Sequence, residues 1–538
     1  MALRACLIGL DGATLDVIMQ LVDNGDMPTF KKLIEKGTYG ILESVHPPST
    51  FPGWPTIATG KNPGKHGIYG FFNPKNRKPL KDKRIRIVDI PYISKQLMKA
   101  NPFWKILNEN NLKVGIINFP GTYPPRKIDG VMVTGILTPS VTFHEYTYPP
   151  ELKNEIKSVV GKYEIDPKFL ANKKKDLDQV RRITRKRLMV AEYLLKKYEF
   201  DLFAIVFTSS DRIQHYYWGH KEVEEYFRDL DRIIGKLLRI IGDNVDIFIV
   251  SDHGFQSNDI YFNINTWLIK NGFLRIRKKS SYLNNFLRNL GFHTKNVLIL
   301  MRILKLTYIL RTLPIKIKGL IIESRPSFEK ADIDWANTKA YSTFDVENGI
   351  YINLEGREPQ GIVKAEEYDN VRNEIINGLK KLDINIEILR REEIYSGPYL
   401  KILPDLVIHI KDKGYKVSTN IDSESYFSKV DHNELESPLG RHHIDGCFIS
   451  YGRNIREGHS LGRISQMDIA PTLLHLMGCD IPRDMDGRVL KEIFKEDSEF
   501  SKKCVRFRNI DNTHKRTELE KIRIKRVIRR IKSNLILS

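Results

Sequence analysis

Six aspartate and histidine residues lie beside short apolar runs of the sequence, and their side chains suit divalent metal ions. In chain order they are Asp11, Asp211, His215, Asp252, His253 and His442. Zinc and similar ions accept such a mixed shell of oxygen and nitrogen ligands. Asp211 and His215 are four residues apart, so one helical turn would place both on the same face. Taken alone, each Asp is more often a cap and each His a packed residue, so spacing leaves both roles open.

Strand-like and helix-like segments alternate along most of the chain and would position these residues. Seven runs rich in Val, Ile and Phe barely alternate with polar residues, as in strands buried on both faces. They are residues 5–11, 113–119, 130–136, 201–207, 245–251, 405–410 and 446–452. Amphipathic stretches such as 176–198 and 224–242 predict helices between them. The pattern predicts an α/β fold with a mostly parallel sheet, and ligands bind at the carboxyl ends of such strands.

The stretch PPSTFPGWPTIATGKNPGKHGIYGF, residues 47–71, resembles the nucleophile segment of the alkaline phosphatase superfamily. It is most similar to the type I phosphodiesterase and nucleotide pyrophosphatase branch, where T-F-P precedes a T-G-x-x-P-x-x-H-G run. Here these motifs begin at Thr50 and Thr59. Other blocks similar to that family also appear in order along the chain: LIGLDG before this stretch, and DRIQH, SDHGF, GRH, MDIAPTLLHLMGCDIP and DGRVL after it. They extend from residue 4 to about 490, and their combination is specific.

The resemblance implies an alkaline phosphatase-like central sheet flanked by helices, with an inserted cap, and two divalent metal ions. Zn²⁺ is expected, with Mn or Fe as alternatives. By analogy with the family, the first ion would be held by Asp211, His215 and His442. The second would be held by Asp11, Asp252, His253 and the hydroxyl oxygen of Thr50. The Thr50 oxygen would attack phosphorus and form a phospho- or nucleotidyl-threonine that water then hydrolyses.

Two assignments rest on how the motifs align. Ser49 also carries a hydroxyl, but the T-F-P match favours Thr50 as nucleophile. His443 neighbours His442, and the spacing from Gly440 favours His442 as the ligand. His66, in the T-G-x-x-P-x-x-H-G run, is interpreted as structural, holding its loop by hydrogen bonds.

The substrate class is less closely defined than the chemistry. The resemblance implies an Asn that donates to a phosphate oxygen where this chain has Gly53, which leaves nucleotide specificity open. Without a C-x-P-x-R motif or a recognisable Arg clamp, sulfate esters are disfavoured and diesters or pyrophosphates preferred, with monoesters as an alternative. A membrane-surface, lipid-linked phosphohydrolase or phosphotransferase is a second candidate. A non-catalytic binding protein is disfavoured, because all seven site residues are intact.

The net charge of +21 is confined to two segments. Residues 275–318 hold eleven Lys and Arg and no acid, and residues 501–538 hold thirteen against three acids. In 516–537, apolar residues recur near one helical face between basic ones. Docking on an anionic membrane, or on nucleic acid, is one interpretation. A packed terminal helix and an interdomain or dimer contact are the alternatives, and the oligomeric state is open.

These features predict four regions. Residues 1–255 and 346–499 would form the two parts of the catalytic core, 256–345 an inserted basic cap, and 500–538 a basic amphipathic tail.

Four widely spaced cysteines have no metal-ligand spacing and favour a reducing compartment. With no apolar run long enough to span a membrane, we expect a cytoplasmic enzyme, peripheral to the membrane if the basic segments bind it, that acts on a small phosphate ester.

Overall fold

A computed structural model describes residues 3–70, 90–167, 173–277, 332–343, 348–421, 423–430, 432 and 438–509. Most of both basic segments, and with them most of the predicted cap and tail, lie outside the described residues. Among the described helices, none is both long enough and apolar enough to cross a bilayer.

A nine-stranded sheet forms the centre of the molecule. In spatial order its strands are His459–Ser465, Thr38–Glu43, Asp445–Tyr451, Asp246–Val250, Ala5–Leu10, Leu202–Phe207, Val114–Phe119, Gly130–Thr134 and Thr147–Tyr148. Only Asp445–Tyr451 and Thr147–Tyr148 run opposite to the others. The predicted α/β fold with a mostly parallel sheet is therefore confirmed.

Each face of this sheet is covered by its own apolar core. In the strand Ala5–Leu10, Cys6 and Ile8 pack into one core while Ala5 and Leu7 pack into the other. Successive side chains of a strand point to opposite faces, so both sets must be apolar. This explains why the central strands read as continuous apolar runs.

Helices cover the sheet on both sides. The two longest match predicted segments. Lys173–Lys197 corresponds to the helix predicted over 176–198, and Lys221–Ile241 corresponds to the helix predicted over 224–242. The others are Leu15–Asp23, Pro28–Glu35, Thr50–Thr59, Pro63–His66, Ile90–Lys99, Phe103–Glu109, Leu152–Val160, Ser209–Tyr217, Ile264–Lys270, Tyr368–Leu379, Arg391–Ile394, Ile469–Leu476 and Glu499–Lys502. Short 3₁₀ turns occupy Trp335–Asn337, Leu400–Ile402, Gln466–Asp468 and Lys491–Ile493.

A second region with its own apolar core lies outside the central sheet. One of its sheets consists of Ile386–Arg390, Leu406–Ile410, Gly349–Ile352 and Ala340–Tyr341, all antiparallel to their neighbours. Another consists of Gly414–Ser418, Gly254–Asn263, Phe427–Lys429 and Gly440–His443. A two-stranded ladder, Ile481–Pro482 with Phe507–Arg508, lies apart from both.

The expectation that residues 405–410 extend the central sheet is wrong. That apolar run forms the strand Leu406–Ile410 of the second region. A short apolar run specifies a buried strand but not the sheet it joins. The predicted division into core, cap and tail stays a prediction, although residues 500–509 pack on the core through Phe500.

Candidate active site

The six predicted ligands converge at one edge of the central sheet. Asp11 directly follows the strand Ala5–Leu10, and Asp252 and His253 follow Asp246–Val250. Asp211 and His215 lie on the helix Ser209–Tyr217, which follows the adjacent strand Leu202–Phe207. These strands are parallel neighbours, so their carboxyl ends meet.

His442 reaches the same edge by a different route. It lies on the strand Gly440–His443, where it is paired with Phe255 of the neighbouring strand. Phe255 is two residues after His253 in the chain. The next strand, Asp445–Tyr451, runs antiparallel to Asp246–Val250, so it begins where its neighbour ends. A residue before this strand is therefore brought to the carboxyl ends of the parallel strands.

Asp211, His215 and His442 form the first cluster. Oδ1 of Asp211 lies 3.2 Å from Nε2 of His215 and 3.2 Å from Nε2 of His442. The two Nε2 atoms are 2.9 Å apart. Three potential ligand atoms thus surround one point, as a metal ion would require.

Asp11, Asp252 and His253 form the second cluster. Nε2 of His253 lies 3.3 Å from Oδ2 of Asp252 and 3.6 Å from Oδ1 of Asp11. It is also 3.9 Å from Oδ1 of Asp211, so the two clusters are adjacent. All three side chains of this cluster are buried.

Main-chain carbonyl groups orient all three imidazoles. In each ring Nδ1 lies 3.1 Å from a carbonyl oxygen; the pairs are His215 with Gly440, His442 with Pro48, and His253 with Gly254. A carbonyl can only accept a hydrogen bond, so Nδ1 must donate and Nε2 of the neutral ring keeps its lone pair. This outer bond is the usual support of a metal-binding histidine.

Several atoms that face the centre of the site have no hydrogen-bond partner among the described residues. They are Oδ1 of Asp11, Oδ1 of Asp211, Oδ2 of Asp252 and Nε2 of His253. Buried polar atoms are ordinarily paired, and all four of these are acceptors. Because these acceptors face one another, either a hydrogen-bond donor or a cation placed between them would satisfy them.

The titration of the site follows from this crowding. Burial, with Asp252 and Asp211 nearby, raises the pKa of Asp11 well above its usual range, and burial raises the pKa of Asp252 to about 8. Burial would also raise the pKa of Asp211, but His215 holds it well below its usual range. Burial lowers the pKa of His253. Positive charge between the clusters would stabilise all three carboxylates in their ionised form.

Thr50 begins the helix Thr50–Thr59, and two residues of this helix, Gly53 and Trp54, contact the second cluster. Trp54 donates from Nε1 to Oδ2 of Asp11 at 3.1 Å. A Cβ added to Gly53 would lie 2.9 Å from the main-chain oxygen of Asp252. Gly53 is therefore needed for close packing, and its missing side chain is weak evidence about nucleotide specificity.

The main chain around Asp252 is fixed by residues that sequence reasoning did not single out. Ser44 donates to the carbonyl of Asp252 at 2.7 Å, Gln466 donates to the same oxygen, and the amide of Gly12 donates to Oδ1 of Asp252 at 3.1 Å. Gln466 directly precedes the block MDIAPTLLHLMGCDIP, but nothing in its spacing could connect it to Asp252.

His66 and His443 have the structural surroundings that the sequence suggested. Nε2 of His66 lies 3.1 Å from the hydroxyl of Thr56, and Nδ1 accepts from the amide of Ile68. Burial, together with Lys61, lowers the pKa of His66 to about 3. His443 accepts through Nδ1 from the amide of Asp445 and belongs to neither cluster.

Comparisons with known proteins identify the family and the fold. The profile of the type I phosphodiesterase / nucleotide pyrophosphatase family matches residues 5–445. Human ectonucleotide pyrophosphatase / phosphodiesterase 5 has a similar structure, with a TM-score of 0.50 and 14% identity over 92% of this chain and all of that one. Its murine counterpart, an inactive variant in complex with AMP, gives 0.51 and 12% over the same shares. No curated protein matches by sequence.

The fold is that of the ectonucleotide pyrophosphatase / phosphodiesterase 5 structures, within the α/β class of proteins. Within it, the chain belongs to the type I phosphodiesterase / nucleotide pyrophosphatase family, whose profile covers most of its length. The family resemblance inferred from the motifs is confirmed, and with it the general assignment as a hydrolase of phosphodiester or pyrophosphate bonds.

Proposed function

We propose that this chain cleaves phosphodiester or pyrophosphate bonds with two divalent metal ions, using Thr50 as its nucleophile. One observation carries the proposal: two adjacent triads of side chains direct their ligand atoms inward, while main-chain carbonyls hold the outer nitrogens of the three imidazoles. The unpartnered acceptors of both triads fit cations.

The donor chemistry suits two ions of the same kind. The first triad offers one carboxylate and two imidazoles, and the second two carboxylates and one imidazole. Such mixed shells suit zinc, with manganese and iron as alternatives. When bound, the ions would neutralise charge on the phosphate and favour the deprotonated hydroxyl of Thr50.

The protein's own residues would supply position and covalent chemistry. Thr50 begins a helix anchored on Asp11 by Trp54 and packed on Asp252 by Gly53. Its hydroxyl would lose its proton and its oxygen would attack phosphorus, while the ester oxygen takes up a proton and leaves as an alcohol or phosphate. Water would then hydrolyse the resulting threonine ester, which still carries the other substituent of the phosphorus. The buried surroundings would strengthen every charge interaction in this step.

The test compares bis-p-nitrophenyl phosphate with p-nitrophenyl phosphate, each with added zinc or manganese. We expect metal-dependent turnover with preference for the diester. Thr50→Ala should lower turnover at least about a thousandfold, since it removes the nucleophile, whereas Ser49→Ala should retain most of it. Hydrolysis of neither ester would contradict the proposal, and preference for the monoester would overturn the diester assignment.

A membrane-surface substrate, such as a lipid-linked phosphate ester, is the second candidate. The observation in its favour is the confinement of the net charge to residues 275–318 and 501–538. Clusters of Lys and Arg beside apolar residues bind anionic lipid surfaces. Faster turnover of the same ester presented in anionic vesicles than in detergent-free solution would support it.

A further inference from the structure

Arg212 links the first cluster to an acidic residue outside it. Its Nε and Nη2 each lie 3.1 Å from one carboxylate oxygen of Asp166. Its Nη1 lies 3.4 Å from Oδ2 of Asp211. The paired contact with Asp166 is the two-point geometry that fixes the plane of a guanidinium group.

The two oxygens of Asp211 consequently have different surroundings. Oδ1 faces Nε2 of His215 and Nε2 of His442, whereas Oδ2 faces Arg212. A carboxylate free to rotate could bind an ion through either oxygen or through both. With Oδ2 held by the guanidinium, only Oδ1 is presented to the first cluster.

Asp166 is itself held in place by a buried arginine. Arg187 is fully buried and donates to the carbonyl oxygen of Ile165, the residue before Asp166. The same side chain donates to the carbonyl of Val206 at 3.1 Å and to the hydroxyl of Thr208 at 2.9 Å. Arg187 therefore ties the segment that carries Asp166 to the strand end that leads into Asp211.

We propose that Arg212, oriented by Asp166, is a positioning residue that presents Asp211 to the first metal ion through Oδ1 alone. The inference rests on the proposed two-metal function and assigns Asp166 and Arg212 a part in it. Groups that orient a ligand from outside the metal shell commonly change metal affinity 10- to 100-fold when removed. Asp166 lies 31% exposed at its side chain, so its replacement leaves no deeply buried cavity.

The experiment measures zinc retention by the full chain during titration with a chelator. Asp166→Asn keeps the shape of the side chain but removes the charge that orients Arg212, and we expect one of two zinc ions to bind about tenfold more weakly. The matched control is Glu164→Gln, two residues away. Glu164 pairs with Arg182 and Lys186, not with the site, so zinc retention should equal that of the wild type.

A double-mutant comparison separates positioning from general loss of structure. Arg212→Gln should weaken the same zinc ion, and adding Asp166→Asn to it should cause little further loss, because both act through one contact. Thermal unfolding of the variants checks that each is folded. Wild-type zinc retention in Asp166→Asn would overturn the proposal. So would a higher KM in Arg212→Gln with unchanged zinc retention, because Arg212 would then contact substrate instead.

Failure of the proposed function is distinguishable from failure of this inference. If the wild type binds two zinc ions but hydrolyses no phosphate ester, the proposed reaction is wrong, yet the chelator titration still compares Asp166→Asn with Glu164→Gln. If the wild type hydrolyses esters and Asp166→Asn retains zinc equally well, the inference alone is wrong.

Discussion

At the scale of single residues, the candidate site is defined by which atom of each side chain is already engaged. Nδ1 of each imidazole donates to a main-chain carbonyl, so Nε2 of each ring faces the carboxylates. The residue types and their place beside strands could be predicted from the sequence. The carbonyl partners of His215 and His442 could not, because Gly440 and Pro48 are distant from them in the chain.

The adjacent pair His442 and His443 gives a direct test at this scale. His442→Gln should lower affinity for one of two zinc ions and reduce diester turnover at least about tenfold, because Nε2 of His442 faces Asp211. His443→Gln should do neither, since His443 belongs to neither cluster. Chelator titration and turnover on both variants check this. Equal losses in both would show that the assignment of His442 is wrong.

The stability of the metal-free protein should fall as pH rises from 6.5 to 8. Burial raises the pKa of Asp252 to about 8, so the folded state keeps a proton that the unfolded state has released above its pKa of about 4. Stability decreases with pH wherever the folded state binds more protons. Burial lowers the pKa values of His215 and His253, so these two residues reduce the stability of the folded protein only below about pH 6.5.

Thermal unfolding of chelator-treated protein at several pH values measures this slope. Added zinc should abolish or reverse the slope, because metal binding is favoured by deprotonated ligands. Asp252→Asn should flatten the slope without metal. A metal-free midpoint that rises between pH 6.5 and 8 would contradict the assignment of a protonated carboxyl to this site.

At the scale of elements, the helix Thr50–Thr59 is placed by contact with strand ends and not by its own amphipathicity. All ten of its residues are buried, so no polar face distinguishes the side that meets the site. Gly9 allows Trp54 to cross the first strand, since a Cβ there would lie 2.3 Å from the indole ring. The motif predicted that this segment carries the nucleophile, but only packing shows how Trp54 and Gly53 hold the helix against Asp11 and Asp252.

Gly53→Ala should therefore damage both stability and chemistry. The added Cβ would lie 2.9 Å from the main-chain oxygen of Asp252, and overpacking of this kind costs about 1–3 kcal/mol. Because the helix or Asp252 must shift, we also expect diester turnover to fall at least about tenfold. Unfolding midpoints and steady-state kinetics measure the two effects.

Gly25→Ala provides the matched control. Gly25 has a φ of +80° and nothing within 4 Å of an added Cβ, so alanine there strains the backbone by about 1 kcal/mol without touching the site. It should lower the unfolding midpoint but leave turnover intact. If Gly53→Ala likewise lowered the unfolding midpoint but left turnover intact, close packing of the helix on Asp252 would not be what places Thr50.

Also at this scale, the strands of the central sheet were predictable because two apolar cores demand apolar residues on both faces. The membership of Leu406–Ile410 was not, since its antiparallel partner Ile386–Arg390 carries only one buried residue. Because Ile386–Arg390 has no pronounced apolar pattern, the sequence did not indicate a second sheet. Local sequence thus specified strands better than it specified which strands pair.

At the scale of the whole molecule, the net charge of +21 is carried by residues 275–318 and 501–538, and the rest of the chain is neutral overall. The described end of the chain is held to the core: His475 lies 2.8 Å from the carbonyl oxygen of Phe500, and Phe507–Arg508 pairs with Ile481–Pro482. Residues 510–538 follow this ladder and contain nine Lys and Arg against three acids. Nine of the thirteen basic residues in 501–538 can therefore be removed by ending the chain at Asn509, which leaves every described residue in place.

A chain ending at Asn509 tests the proposed anionic-surface role of the tail. It should keep the unfolding midpoint and soluble-diester turnover of the full chain, because Phe500 and the ladder remain. It should bind phosphatidylserine vesicles more weakly, since each basic residue near such a surface contributes about 1 kcal/mol. Sedimentation with vesicles at low and high salt measures this, and neutral vesicles are the control. A chain ending at Glu496 should instead lose stability, because it lacks Phe500. Unchanged binding to anionic vesicles after truncation at Asn509 would show that the tail does not dock there.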